Sequence, residues 1–213
     1  MKPIYIAAYH QSKFGKLFDM TVPDIIAAAV NETYAEIGAE PAAVDCASIG
    51  ATCNFSLNEQ GLLAGLVAMA PGLGGKPIEA VENACASGGQ AVVSVAQKLQ
   101  LGLGEVGIAV GYEKMRNDEG KMDGALIGKV LGYFSHPDER VGKTYVFPHL
   151  FAEVMQKYME VHGATERDFA EISSREYGNS TFNPYAQMRK IEVSVDEAAT
   201  PEGRNRYIVE GLP

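Results

Sequence analysis

One cysteine, Cys85, lies where its chemistry could be used, within the segment NACASGG that runs from Asn83 to Gly89. Residues 77–82 have the pattern of a buried strand, and residues 90–100 place apolar side chains at helical spacing. A cysteine at a helix N-terminus lies near unpaired backbone N–H groups and the positive end of the helix dipole, which favour the nucleophilic thiolate. The sequence therefore indicates covalent catalysis through a thioester.

A second interpretation of each cysteine is structural, because free cysteines are often buried as small hydrophobic residues. We favour that interpretation for Cys46 and Cys53. For Cys85 both interpretations stay open on the residues alone. Gly88 and Gly89 would pack closely where the helix meets the sheet, and the same property would leave space for an acyl group facing backbone N–H groups.

Strand-like and helix-like segments alternate over the first 112 residues. We predict strands at 4–8, 46–50, 78–82 and 106–111, and helices at 24–37, 58–70 and 86–101. Within the second helix, Leu62, Leu63, Leu66 and Met69 are expected to face inward. This alternation predicts a mainly parallel sheet with helices on both faces, in which ligands gather at the carboxyl ends of strands. Cys85 follows one such end.

The pattern changes after this region. Residues 113–142 are rich in glycine and charge and are expected to form a long irregular excursion. Helices are predicted again at 148–162 and 165–178, with one further turn at 196–199.

The chain resembles a known family in several segments. VENACASGG (81–89) is followed by GYEKM (111–115), and later by FPHLFAEVMQKYMEVHGAT (147–165) and NPYAQMRK (183–190). These segments are similar to the thiolases, in particular to the branch of sterol-carrier-protein-type thiolases and acetyl-CoA acetyltransferases. The resemblance covers nearly all of this chain but only the N-terminal half of a family member.

The resemblance implies an α/β fold: a thiolase-like N-terminal half with a mainly parallel mixed sheet, helices on both faces and an inserted helical loop domain. The corresponding domains are 1–115 with the nucleophile, 116–190 covering the acyl-CoA, and 191–213 returning to the core. Cys85 would be the catalytic nucleophile, and Gly88, Gly89 and His149 would contact the substrate. Coenzyme A would be substrate and product, with no resident cofactor and no metal. The family's activating histidine belongs to the other half, so His149 is not its counterpart.

The motifs of the C-terminal thiolase half, among them a Gly-His-Pro histidine segment, are absent from the sequence. We therefore expect thiolase-type acyl transfer that requires a C-terminal half from another chain, or assembly into a homo-oligomer. The alternative is a non-catalytic, thiolase-like scaffold subunit of a CoA-thioester enzyme complex. A third possibility, a thiolase-like retro-aldolase, is less favoured because such relatives tend to lack the cysteine.

Bulk properties narrow the classes of function further. The chain has 213 residues with a net charge of −9, which argues against non-specific binding to nucleic acid. No apolar run reaches the roughly 18 residues of a membrane span. Three irregularly spaced cysteines indicate neither a disulfide framework nor a zinc site, so we expect a cytoplasmic protein.

Overall fold

The computed structural model describes residues 3–116 and 123–202. These residues form two compact units. The first contains the described residues before Gly124, apart from Lys13–Gly15, and the second contains Lys13–Gly15 with the described residues from Gly124 onward. Within the described ranges, no helix combines the length and the apolar composition needed to cross a lipid bilayer.

The first unit alternates helices and strands. Its elements are α1 (Val22–Ile37), a 3-10 turn (Pro41–Ala43), β1 (Cys46–Gly50), α2 (Asn54–Asn58), α3 (Leu63–Ala68), β2 (Ile78–Val81), α4 (Ser87–Gln100) and β3 (Gly107–Gly111). The three strands form a parallel sheet in the order β2-β1-β3. Gly50, at the end of β1, is paired with Val81 on one side and Gly111 on the other, so the three strands end at one edge.

Helices cover both faces of this sheet, which explains why every residue of β1 is buried. Ala47 and Ile49 belong to a core cluster with Val30 of α1 and Val67 of α3. Cys46 faces the other way and packs against Val95 and Leu99 of α4. Because successive side chains of a strand alternate between faces, one short apolar run supplies both cores. The predicted α/β fold is confirmed.

Helix α1 shows how local sequence sets the element boundaries. Thr21 is its N-cap and forms a capping box with Asp24, and Pro23 occupies the first turn. Gly38 ends the helix with φ +61°, a left-handed conformation that costs glycine little.

The strand predicted at residues 4–8 is wrong. These residues adopt no regular structure, and the side chains of Tyr5 and Ile6 are 82% and 83% exposed. Ile4 is partly buried and packs against the cluster formed by Cys46, Val95 and Leu99. A strand needs a neighbouring backbone for its hydrogen bonds, and the sheet of the described chain consists of β2, β1 and β3 only.

The single helix predicted at 58–70 is two helices, α2 and α3. Between them Glu59 and Leu62 have φ values of +53° and +50°, which interrupt the helix. Leu63 is buried and Leu66 packs on the core, as predicted. Leu62 and Met69, by contrast, are 82% and 77% exposed, because they lie at the N-cap and C-cap of α3, whose buried residues are Leu63 and Val67.

The second unit is helical. It contains α5 (Gly124–Gly132), a 3-10 turn (Pro137–Arg140), α6 (Val146–His162), α7 (Glu166–Ser180) and α8 (Val195–Ala199). Helix α5 corrects the expectation of an irregular excursion over 113–142, of which residues 117–122 lie outside the described residues. A Cβ on Gly132 would lie 2.8 Å from the Val146 side chain, so glycine at this position lets the start of α6 approach α5 closely.

Candidate active site

Cys85 lies on the surface of the first unit, one residue before Ala86, the N-cap of α4. All three cysteines of the chain fall within the described residues, and they differ sharply in exposure. Cys85 is exposed, whereas Cys46 and Cys53 are 0% and 1% exposed. Of these thiols, therefore, Cys85 is the one that an external reagent or substrate could reach.

The two buried thiols are also disfavoured electrostatically as nucleophiles. Burial raises the pKa of Cys46. Burial, with a smaller contribution from the negative charge of Glu113, raises the pKa of Cys53 to about 11. Because the thiolate is the reactive form, both side chains are expected to stay protonated and inert at neutral pH. The structural interpretation of these two cysteines agrees with their burial.

A tight turn presents Cys85. Ala84, immediately before it, has φ +45°, which is uncommon for a residue with a Cβ. The Ala84 carbonyl accepts a hydrogen bond from the Ser87 N–H at 3.0 Å and another from Ser87 Oγ at 2.7 Å. Ser87 Oγ in turn accepts the Asn83 N–H at 2.8 Å. Ser87 is 4% exposed and closes this turn.

The N-terminus of α4 is open beside Cys85. Ala86 has no side chain that could cap the helix, and the first helical hydrogen bond runs from Gln90 N–H to the Ala86 carbonyl. In the part of the chain that the structure describes, no acceptor meets the N–H groups of Gly88 and Gly89. Such groups carry the positive end of the helix dipole and can bind a developing negative charge.

The two glycines differ in their surroundings. A Cβ on Gly88 would lie 3.9 Å from the Gly111 Cα at the end of β3, which is ordinary van der Waals contact. A Cβ on Gly89 would meet no atom within 4 Å, and Gly89 is exposed. The space that the sequence predicts for a substrate therefore exists at Gly89, while Gly88 lies against the sheet. Their contact with substrate stays a prediction.

Gly50 is the site residue that sequence reasoning missed. A Cβ at this position would lie 2.0 Å from the Ser87 carbonyl oxygen and 2.4 Å from its carbon. Only glycine at the end of β1 allows the N-terminus of α4 to come this close to the central strand. One signal was available, because Gly50 shares the alternation of Cys46 and Ser48 and so faces α4.

Glu113, from the Glu-Lys-Met segment after β3, bonds to the backbone. Its carboxylate accepts the Thr52 N–H at 3.0 Å and the Cys53 N–H at 3.1 Å. The residue as a whole keeps solvent contact, yet desolvation around the carboxylate raises its pKa, and these two N–H bonds act in the opposite direction. These two bonds give Glu113 a structural role, because they join the segments that follow β3 and β1.

His149 lies in the second unit, on α6. Its Nε2 is 2.9 Å from a Glu153 carboxylate oxygen, and Lys143 Nζ is 3.2 Å from the same oxygen. The Lys143 hydrogen bond is the largest cause that lowers the pKa of Glu153. The His149 side chain thus lies in a small cluster with Glu153 and Lys143, and its contact with substrate stays a prediction.

The sulfur of Cys85 has no partner that could activate it in the described residues. Within 3–116 and 123–202, no side chain forms a hydrogen bond or ion pair with this thiol. The candidate site in the described residues therefore combines an accessible thiol with helix N–H groups, and it contains no base hydrogen-bonded to that thiol.

This fold and site define an α/β protein with a candidate cysteine nucleophile at the carboxyl edge of a parallel sheet. Residues 4–197 match the family model described as the N-terminal domain of thiolase, and the chain belongs to the thiolase family. This confirms the family resemblance of the sequence.

Individual relatives agree with this assignment. The chain is 28% identical over 197 residues to an acetyl-CoA acetyltransferase of Methanothermobacter thermautotrophicus, covering 92% of this chain and 50% of the relative. It is 30% identical to the benzoylsuccinyl-CoA thiolase subunit BbsB of Thauera aromatica, covering 92% and 48%. Sterol carrier protein 2 of Gallus gallus is 27% identical, covering 91% and 36%. The chain thus spans half the length or less of these relatives.

Proposed function

We propose that Cys85 is the nucleophile of a thiolase-type acyl transfer from coenzyme A thioesters. The observation that carries this proposal is the exposure of Cys85 beside the open N-terminus of α4, in a chain that belongs to the thiolase family. The relatives named acetyl-CoA acetyltransferase and benzoylsuccinyl-CoA thiolase support a coenzyme A thioester as substrate.

The proposed reaction has two steps. In the first, the Cys85 thiolate attacks the carbonyl carbon of an acyl-CoA, an S-acyl bond forms, and coenzyme A leaves as its thiolate, which takes up a proton. In the second, a base removes an α proton from another acyl-CoA, and the resulting carbanion attacks the S-acyl carbon. A carbon–carbon bond forms, the Cys85 thiolate is released, and the product is a 3-oxoacyl-CoA. Run in reverse, the same steps cleave a 3-oxoacyl-CoA with free coenzyme A.

Both steps develop negative charge on a carbonyl oxygen. The open N–H groups of Gly88 and Gly89 support their role in binding the acyl group, because such donors stabilise that charge. A single donor of this kind contributes about 3 kcal/mol to the transition state. We propose that His149 contacts the substrate as well.

We further propose that a thiolase C-terminal half on another chain supplies the base and the remaining oxyanion donors. Two observations support this arrangement. In the described residues, no side chain forms a hydrogen bond or an ion pair with the Cys85 sulfur. One relative is itself named as a subunit of a thiolase. A non-catalytic scaffold subunit remains the alternative that experiment must separate from this proposal.

Labelling of the three thiols separates the two proposals. The protein is treated with iodoacetamide at neutral pH, and in parallel with acetyl-CoA, and each cysteine peptide is followed by mass spectrometry. Cys85 should be alkylated well before Cys46 and Cys53, and it should be the residue that gains one acetyl group. The Cys85→Ser variant should lose the acetyl adduct, and the Cys53→Ala variant should keep it. Slow, equal labelling of all three thiols would favour the scaffold.

Cleavage of a 3-oxoacyl-CoA tests the requirement for the other half. The isolated chain should be nearly inactive, and activity should appear when a polypeptide with the family's Gly-His-Pro segment is added. Full activity of the isolated chain, after mass spectrometry has excluded a co-purified partner, would contradict the split arrangement.

A further inference from the structure

The turn that presents Cys85 is tied to the centre of the sheet by a hydroxyl group. Thr52 follows β1, and its Oγ1 donates a hydrogen bond to the Ala84 carbonyl at 2.7 Å. We propose that Thr52 is a positioning residue for the Cys85 nucleophile: its hydroxyl fixes the Ala84 carbonyl and so holds the turn that presents the thiol. This inference rests on the proposed function of Cys85.

The turn requires such support because of its backbone conformation. Ala84 has φ +45°, where its Cβ approaches the following carbonyl oxygen. A residue in such a region persists only where the surrounding structure determines its position several times over. The Ala84 carbonyl accepts three hydrogen bonds, from Ser87 N–H, Ser87 Oγ and Thr52 Oγ1. Two of these are local to the turn, whereas Thr52 connects it to β1.

The hydroxyl geometry makes Thr52 a donor to the turn. Each hydroxyl group has a single hydrogen, and the Ala84 carbonyl, which can only accept, is 2.7 Å from both Thr52 Oγ1 and Ser87 Oγ. The two hydroxyl oxygens are also 3.0 Å apart, where either could donate to the other, so the Thr52 hydrogen is given to the Ala84 carbonyl or to Ser87 Oγ, and both belong to the turn. Thr52 is therefore a donor to the turn, and replacing its hydroxyl by a methyl group removes that donor.

Thr52 is itself held by the neighbouring strand. The Glu113 carboxylate, which follows β3, accepts the backbone N–H groups of Thr52 and Cys53. A continuous path of hydrogen bonds thus runs from the end of β3, through the end of β1, to the turn before Cys85. The hydroxyl of Thr52 is the step of this path that a side-chain substitution can remove without disturbing its backbone bond to Glu113.

The test compares Thr52→Val, which replaces the hydroxyl by a methyl group, with Thr52→Ser, which keeps it. Two quantities are measured: hydrogen exchange of the peptide covering residues 83–87, and the rate of Cys85 acetylation by acetyl-CoA. Thr52→Val should speed the exchange and slow acetylation about tenfold or more, since small displacements of a reacting group reduce rates strongly. Thr52→Ser should restore both quantities.

Thr33→Val is the matched control. Thr33 lies in α1 of the same unit and donates an equivalent bond, Oγ1 to the Ala29 carbonyl at 2.7 Å, within its own helix. The same substitution there should leave exchange of residues 83–87 and acetylation of Cys85 unchanged. If Thr52→Val does not fold, Thr52→Ala removes the same hydroxyl without placing a second methyl group at that position.

The outcomes separate this inference from the proposed function. Unchanged exchange in Thr52→Val would overturn the positioning role, and so would effects that Thr52→Ser does not restore, because these would come from the methyl group. If the wild-type chain is not acetylated but exchange rises in Thr52→Val and recovers in Thr52→Ser, acyl transfer by Cys85 is wrong while the hold of Thr52 on the turn stands.

Discussion

Replacement of Gly50 by alanine tests the close contact on which the site is built. The new Cβ would lie 2.0 Å from the Ser87 carbonyl oxygen, and ordinary contact begins at 3.4 Å, so the two elements must separate by more than an ångström. The obstructing atoms are backbone atoms of the first turn of α4, which no rotamer change can relieve. Overpacking costs about 1–3 kcal/mol, and we expect about 3 kcal/mol here because backbone must move. A shift of about 1 Å at Cys85 would slow acyl transfer by roughly 100-fold.

Urea denaturation followed by circular dichroism measures the free energy of unfolding of this variant. The matched control is Gly89→Ala, in the same helix turn, where the added Cβ meets no atom within 4 Å. Alanine at such a helical position should stabilise by about 0.5–1 kcal/mol. The two substitutions are thus expected to have opposite signs. A free energy for Gly50→Ala within about 0.5 kcal/mol of the wild type, the range of ordinary surface substitutions, would refute the close approach of α4 to β1.

Three further predictions concern the core, a helix cap and a titrating carboxyl. Ile26→Ala, at a side chain that is 1% exposed, should cost about 3 kcal/mol in urea denaturation. Thr165→Ala removes the capping box of α7 and should cost about 1 kcal/mol by the same measurement. The pKa of Glu113 is raised in the folded state. Protonation of Glu113 therefore stabilises the folded state fully below pH 4.5, and this stabilisation is lost as pH rises through the higher folded pKa. The Tm of the wild type relative to Glu113→Gln should therefore fall as pH rises above 4.5, and a rise would contradict the shift.

Each end of the three strands was predictable from the sequence to within one residue. Their short runs, apolar apart from Ser48 and Glu79, are bounded by glycine, proline or charged residues, a pattern typical of strands. Helix α1 was also predictable from the sequence, because its capping box and Gly38 are local signals. In each of these elements the local pattern and the tertiary environment agree.

The strand expected at residues 4–8 shows the limit of such patterns. Apolar periodicity indicates which side chains could be buried. A strand must also pair with the backbone of an adjacent strand, and the availability of such a strand depends on the whole sheet. The break between α2 and α3 has a different cause. Glu59 and Leu62 adopt positive φ, which a glutamate or a leucine in a sequence does not predict.

Glycine misled the prediction of α5. Gly124, Gly128 and Gly132 recur every fourth residue, and each lowers helix propensity. In the structure the last two face Tyr145 and Val146, so the spacing that weakens the isolated helix provides the surface for close packing. Tertiary contact therefore decided the conformation of this segment against its local preference.

The residues of the candidate site also differ in how far the sequence could predict them. Cys85 could be proposed from the sequence because its signal, a cysteine flanked by small residues between a strand and a helix, is contained in seven consecutive residues. Thr52 and Glu113 could not be assigned to the candidate site, and strand alternation could only have placed Gly50 on the face towards α4, since these residues are distant from Cys85 in sequence and come near it through the strand order β2-β1-β3. The strand order depends on pairing between segments that are distant in sequence, so no single segment predicts it.

The strand order also links the position of Cys85 to the most buried strand. β2 leads into the turn that presents Cys85, β3 leads into the Glu113 carboxylate that holds Thr52, and β1 lies between them with Gly50 against the first turn of α4. The face of β1 that carries Ala47 and Ile49 contributes to the core under α1 and α3 and has no bond to the turn. Substitutions on that face should therefore lower stability without altering Cys85 in the molecules that remain folded, whereas substitutions at Gly50 or Thr52 should alter the turn that presents Cys85. Stability and reactivity can thus be varied separately within one strand and the loop that follows it.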